Sequence, residues 1–200
     1  MNVIKLSGVV NDAPKFSHEC KGENFYTFDI ATERRSGYVD VIPCVVPELL
    51  VGMIEQYGKY MVLGEVRTRN VKAVDSSRIR CEVSVFVKNV DEYCGEDVNE
   101  VHAVGYICRK PSYRTTPLGR NVSDLTIACP RETVNRTDYI PTIAWGRSAE
   151  RASVMSVGDK VSLSGRMQSR TYLKRYEDGR EEPRIAYELS CALLEKIEEN

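Results

Sequence analysis

The chain has no apolar run approaching the ~20 residues a membrane-spanning helix requires. It has almost no histidine: His18 and His102 are isolated from one another. No H-E-x-x-H, G-x-x-x-x-G-K-[ST] or G-x-S-x-G string occurs, so zinc hydrolysis, P-loop nucleotide hydrolysis and nucleophile-elbow acyl transfer lack their usual groups. No enzyme and no cofactor are expected. The seven cysteines include no C-x-x-C pair and are odd in number, which argues against a zinc knuckle or a disulfide framework. Four of them, Cys44, Cys81, Cys108 and Cys129, lie within apolar or alternating runs and are expected to be small buried hydrophobes of a reduced protein. The opening Met1–Val10 carries one lysine and only short apolar runs, so a signal peptide is not expected and the location is expected to be cytoplasmic.

What is present is ordinary in bulk and uneven in detail. Of 200 residues, 42% are hydrophobic and 28% charged, enough for one domain or two small ones. The formal net charge of −1 conceals a basic stretch. Residues 105–175 hold 13 Lys+Arg, mostly arginine, against 5 Asp+Glu, a balance of +8. Residues 1–98 hold 12 against 15, a balance of −3. A stretch as basic as the first points to a polyanionic partner, although charge runs are also common on merely solvated faces.

The chain also repeats itself. The first half runs through Asn2–Gly8, Pro14, a strand-like run at Phe25–Thr32, Asp40-Val-Ile-Pro43, an apolar run at Leu49–Tyr57, and Gly58-Lys-Tyr-Met-Val-Leu-Gly64 leading to Arg69. The second runs through Glu100–Gly105, Pro111, Val122–Cys129, Asp138-Tyr-Ile-Pro141, Ser148–Val157, and Gly158-Asp-Lys-Val-Ser-Leu-Ser-Gly165 leading to Arg170. The landmarks recur in order at an offset of 97 to 101 residues, which marks a tandem duplication. The boundary falls near Cys94–Asn99, giving units at 1–95 and 99–200. Period-2 alternation, as in Val101, Ala103, Gly105 and Ile107, predicts strands. Ala149, Ala152 and Met155 give Arg147–Met155 a short helical stripe, and Pro47–Tyr57 is its counterpart. Each unit thus reads β-β-β-α-β-β. The expected fold class is all-β, two tandem OB-folds, each a five-stranded Greek-key barrel with a short helix between its third and fourth strands.

The second unit carries Gly105-Tyr-Ile-Cys-Arg-Lys-Pro111, Tyr113-Arg-Thr-Thr-Pro-Leu-Gly119, Thr137-Asp-Tyr-Ile-Pro-Thr-Ile-Ala-Trp-Gly-Arg147 and Gly158–Tyr172. Through these motifs residues 100–197 resemble the bacterial single-stranded DNA-binding protein (SSB) family. The first unit resembles it only through the repeat and the scaffold glycines. The resemblance places the family's stacking aromatics on Tyr139, Trp145 and Tyr172, and its cations on Arg114, Arg147 and Arg170. Tyr113, Arg120, Arg131, Arg136, Lys174, Arg175 and Tyr176 fall in the connections or at strand ends, where they could wrap a strand of DNA. Aromatic faces interleaved with cations suit single strands, because every base has a π-face and every nucleotide a phosphate. Opposing readings exist for several of these residues. Tyr139 and Trp145 could be packing residues, Trp145 sharing the face of Ile143, and Arg114 and Arg170 could pair with Asp124 or Asp138.

In the first unit the three stacking positions become Val41, Pro47 and Val71, and the loop between its last two strands, Lys72–Ser77, is short. That unit is expected to be degenerate and mainly architectural. The family commonly joins four OB units, so the resemblance implies a homodimer. The acidic, Phe-ended tail typical of the family is absent from Glu195–Asn200, which leaves recruitment of replication or repair proteins open. The alternative reading is an assembly module of the primosomal kind that mainly binds protein.

Overall fold

The structure, a computed structural model, describes residues 1–72, 79–132, 134–176 and 178–198, with backbone only at 72 and 79. In the first half, β1 (Asn2–Val10), β2 (Lys15–Cys20), β3 (Glu23–Glu33) and β4 (Val39–Pro47) precede α1 (Glu48–Val51), β5 (Lys59–Lys72) and β6 (Ile79–Glu92). In the second half, β7 (Asn99–Ile107), β8 (Ser112–Thr115), β9 (Asn121–Pro130) and β10 (Thr137–Trp145) precede α2 (Arg147–Ser153), β11 (Lys160–Arg175) and β12 (Glu181–Lys196). β1 pairs with both β3 and β5, β3 with β4, β4 in parallel with β6, and β6 with β5. These pairings close a five-stranded barrel, and β7, β9, β10, β12 and β11 close a second in the same order. Both are the expected OB-folds, and the expected boundary lies in the segment between β6 and β7.

The alternation that predicts the strands also fills the barrels. Ile4, Leu6, Ile30, Ile42, Val46, Val62 and Val85 fill the first, and Ile107, Ile127, Ile140, Met167, Leu189 and Leu194 the second, all fully buried. At Gly64 and Gly165 the last hairpin of each barrel slips register by one residue. A Cβ there would lie 2.2 Å from the Phe86 carbonyl oxygen and 2.1 Å from that of Ser190, so each bulge requires glycine.

Three expectations need correction. Each unit has a sixth strand, the short edge strands β2 and β8; their residues are almost all exposed and give no apolar alternation to read. The helix expected at Pro47–Tyr57 is confined to Glu48–Val51, because Gly52 ends it and Leu49 faces solvent. The second helix matches its prediction more closely, with Ala149 and Ala152 fully buried and Met155 packed against the core. Cys81 is exposed and Cys108 half-buried rather than buried, while Cys191 joins Cys44 and Cys129 in the interior. Apart from Lys72, the expected loop Lys72–Ser77 lies outside the described residues.

The barrels join edge to edge through antiparallel pairing of β1 with β7, where Ile4 faces Val101. At the repeat offset of 97 these two are equivalent residues, so the junction has a pseudo-two-fold axis. Polar contacts repeat about it. Asn2 exchanges two hydrogen bonds with the Val66 backbone, and Asn99 does the same with Met167. Fully buried Asp40 accepts two bonds from Arg34, at 2.5 and 2.6 Å, and one from the Ser169 backbone N–H of the other barrel at 2.7 Å. Asp138, 1% exposed, accepts two bonds from Arg131 and one from the Thr68 backbone N–H of the first barrel, all at 2.7 Å. Each barrel therefore anchors the long hairpin of the other through a buried carboxylate.

Candidate nucleic-acid interface

β10 presents Asp138, Ile140, Thr142 and Ala144 to the interior and Tyr139, Pro141, Ile143 and Trp145 to the outer face. Tyr139 is 50% exposed. Trp145 is half-buried and donates its indole N–H to Ser190 Oγ at 3.1 Å. Ile143, on the same face, is buried but lines the groove beside Trp145 rather than filling the barrel interior. Tyr172, on the β11–β12 hairpin, is 38% exposed, with the Arg170 guanidinium 5.7 Å from its ring centre.

These aromatics do not share one cleft. A groove of about 1470 Å³ runs past Trp145, Arg114, Arg120, Arg166 and Arg170 to Arg34 and Tyr38 of the first barrel. A depression of about 810 Å³ holds Tyr139, Arg109 and Lys110. A third, about 750 Å³, lies between the first barrel and Tyr172, with Arg131 and Arg136 on its wall. Glu188 borders all three, so they meet on one outer surface. Its carboxylate, 12% exposed, is engaged by Arg170 at 3.5 Å and by the Gln168 amide at 2.8 Å.

The cations divide by what they already hold. Arg120, Arg136 and Arg147 have no ion-pair partner among the described residues, and each is exposed. Arg114 pairs with Asp124 while remaining 51% exposed, and Arg175 pairs with Glu181 while 81% exposed. Arg170 pairs with Glu188, not with Asp124 or Asp138. Tyr113 is 43% exposed on the edge strand β8. Tyr176 lies under Lys174 and Arg180 and bonds to Glu182 and Arg184 through its hydroxyl; the bond to the Glu182 carboxylate raises its pKa above the usual phenol value, against the opposing pull of Arg184. It acts first as the clasp of the hairpin tip. Arg131 has to leave the set of free cations: it is 14% exposed and spent on Asp138, a partner seven residues away in sequence. Arg147 and Trp145 stand near the start of α2, but Arg147 borders none of the three depressions. Among the described residues no cluster of His, Cys, Asp or Glu is placed to hold a metal.

Sequence reasoning missed two things. Arg166 lines the main groove, and a basic residue directly after the Gly165 bulge is its only sequence signal. The first barrel also keeps aromatics on its outer surface, supplied by other strands. β6 places Phe86 where β12 places Ser190, since Val85 and Leu189 both stand opposite equivalent residues of the parallel partner strand. Phe86 is thus the counterpart of the residue that Trp145 touches. Its ring is covered by the Arg67 guanidinium at 4.3 Å, and Phe25 is stacked on His18 at 5.1 Å. Those faces are occupied by protein groups, whereas no ring or cation contact is recorded for Tyr139 among the described residues.

Residues 98–193 match the profile described as the single-strand binding protein family. Single-stranded DNA-binding protein 1 of Clostridium acetobutylicum is 35% identical over 82 residues, which are 38% of this chain and 74% of that protein. Single-stranded DNA-binding protein 3 of the same organism is 36% identical over 81 residues, covering 38% and 56% respectively. The chain spans about half the length of the first curated relatives it matches. The wild-type single-stranded DNA binding protein from Thermus aquaticus superposes over 100% of this chain and 94% of its own, with TM-score 0.78 and 22% identity, a likeness of fold. Motifs, tandem barrels and relatives agree that this chain belongs to the single-strand binding protein family.

Proposed function

We propose that the chain binds single-stranded DNA without reading its sequence and serves DNA replication, recombination or repair in the bacterial cytoplasm. The observation that carries this reading is the outer surface around β10. There Trp145 shares a groove with Arg114, Arg120 and Arg170, the exposed ring of Tyr139 lies with Arg109 and Lys110, and the hairpin ring of Tyr172 lies beside Arg170. The names of the curated relatives support the same ligand. Arginines neutralise phosphates, the rings stack on bases, and duplex DNA, whose bases are hidden, is disfavoured. Catalysis has no place in this mechanism.

Residues 99–200 form the main binding unit in this reading. Residues 1–95 hold the β11–β12 hairpin in place through Asp40, and two of their outer aromatics, Phe86 and Phe25, are engaged by Arg67 and His18. Two chains associate to present four barrels, and sedimentation at twice the chain mass is the expected result.

The test is a titration of the full chain with oligo-dT at two salt concentrations, read through Trp145, the single tryptophan. Binding should weaken with salt with a log–log slope of about −0.7 per phosphate contact. Tyr139→Ala and Tyr172→Ala should each cost about 1–3 kcal/mol. Unchanged affinity in the double variant would refute the stacking surface.

A further inference from the structure

We propose that the junction between the barrels at Arg166 is a phosphate-binding subsite built from both halves of the chain. Arg166 follows the Gly165 bulge on β11 and points into the groove that also holds Trp145. Among the described residues its Nε is buried without an acceptor, and its Nη2 reaches only Gln168 Oε1 at 3.4 Å. A buried guanidinium N–H with no acceptor is uncommon, because the group stays charged and presents its donors in a planar fork. Across the groove Arg34 is committed to Asp40 and lies under the Tyr38 ring at 4.4 Å. That carboxylate is taken up by Arg34 and Ser169 and gives Arg166 no hydrogen bond. Burial and the like charge of Arg34 press against the charged form of Arg166, with Asp40 only partly offsetting them. An anion with several acceptor oxygens relieves both the unmet donor and the repulsion, and a phosphate matches the fork.

The other half of the duplication provides an internal comparison. The residue after the equivalent bulge at Gly64 is Glu65, which is held by Arg67 at 2.7 Å and by Lys88. That junction supplies its own anion. The Arg166 junction has a cation where that one has a carboxylate, and no carboxylate bonds to it among the described residues.

The phosphate could belong to a polynucleotide backbone or be free. The backbone assignment rests on the function proposed above. The experiment follows the arginine Nε–Hε resonances of the ¹⁵N-labelled full chain by NMR, with Arg166 identified by its loss in Arg166→Gln. Probes are oligo-dT, inorganic phosphate, and a thymidine oligomer with an uncharged methylphosphonate backbone. Expected is a shift of Arg166 with oligo-dT and none with the uncharged oligomer. Arg166→Gln should lower oligo-dT affinity about tenfold and make the salt slope shallower by about 0.7. Arg166→Lys should retain most of that slope. A shift with inorganic phosphate as well means the site also takes the free anion. Oligo-dT that quenches Trp145 while Arg166 and the Arg166→Gln slope stay unchanged would overturn the subsite and leave DNA binding intact. If oligo-dT does not bind at all, the phosphate arm decides: a shift of Arg166 upholds an anion site, and no shift overturns it.

Discussion

Replacing Asp138 by alanine should destabilise the protein far more than an ordinary surface ion pair would suggest. The carboxylate is 1% exposed and its partner Arg131 14% exposed, so the variant strands a nearly buried guanidinium. Breaking a buried pair from one side costs about 3–5 kcal/mol, because the remaining charge keeps its desolvation penalty. The Thr68 N–H, which donates to Asp138 at 2.7 Å, loses its acceptor as well. At about 2–4 °C per kcal/mol for a chain of this size, the melting temperature should fall by roughly 6–20 °C. Urea unfolding followed by Trp145 fluorescence and far-UV circular dichroism reads the loss and shows whether both barrels still unfold together. The double variant Asp138→Leu/Arg131→Met removes both charges and leaves mainly the unmet Thr68 N–H, so its cost should shrink to about 1–3 kcal/mol. A single-variant loss below about 1 kcal/mol, or a double variant no better than the single, would refute the view that these carboxylates lock the barrels.

Three further outcomes are expected. Glu188→Gln removes the one carboxylate bordering all three depressions and should tighten oligo-dT binding several-fold at low salt, an effect that fades as salt rises, in a fluorescence titration. In a native thiol titration with Ellman's reagent, Cys20, Cys81 and Cys94 should react promptly; Cys44, Cys129 and Cys191 should react only on unfolding, since burial pushes the Cys129 and Cys191 thiols up to about 12 and Cys44 in the same direction. Burial raises the Glu65 carboxyl, but hydrogen bonds and charge from Lys88 and Arg67 outweigh it and hold its pKa below the usual value. Its contribution is present above the ordinary glutamate range and lost as pH falls through the lowered value, so Glu65→Gln should flatten the acid limb of the melting-temperature profile.

The duplication, the closed barrels and the second helix are legible because burial writes period 2 and period 3.6 into the sequence. The Ile4–Leu6 and Val101–Ala103 runs and the Ala149–Ala152 stripe carry that signal. Edge strands β2 and β8 leave no such trace, since nearly all of their residues face water. At the site, Tyr139 and Tyr172 are readable as exposed aromatics in strands. Arg131 is not readable as a buried partner, because its commitment to Asp138 depends on Thr68 arriving from another barrel. Phe86 escapes a position-by-position comparison for a similar reason. In one repeat the ring comes from the fourth strand and in the other from the last, so the same patch of surface has no shared alignment column. Arg166 is visible as a charge in the sequence, but its missing acceptor is a three-dimensional fact.

The β1–β7 seam has a consequence for how the two halves can change. In a symmetric pair of separate chains, every substitution appears on both sides of the axis, and dilution can part the partners. Here the halves are tethered, so the pairing of Ile4 with Val101 is a first-order event, independent of concentration. Mutations are free to fall on one side alone. Glu65 against Arg166, and Phe86 against Ser190, are differences that a homomeric seam would have to duplicate or forgo. Tethering allows one half to specialise in holding and the other in contact, while both keep the same barrel.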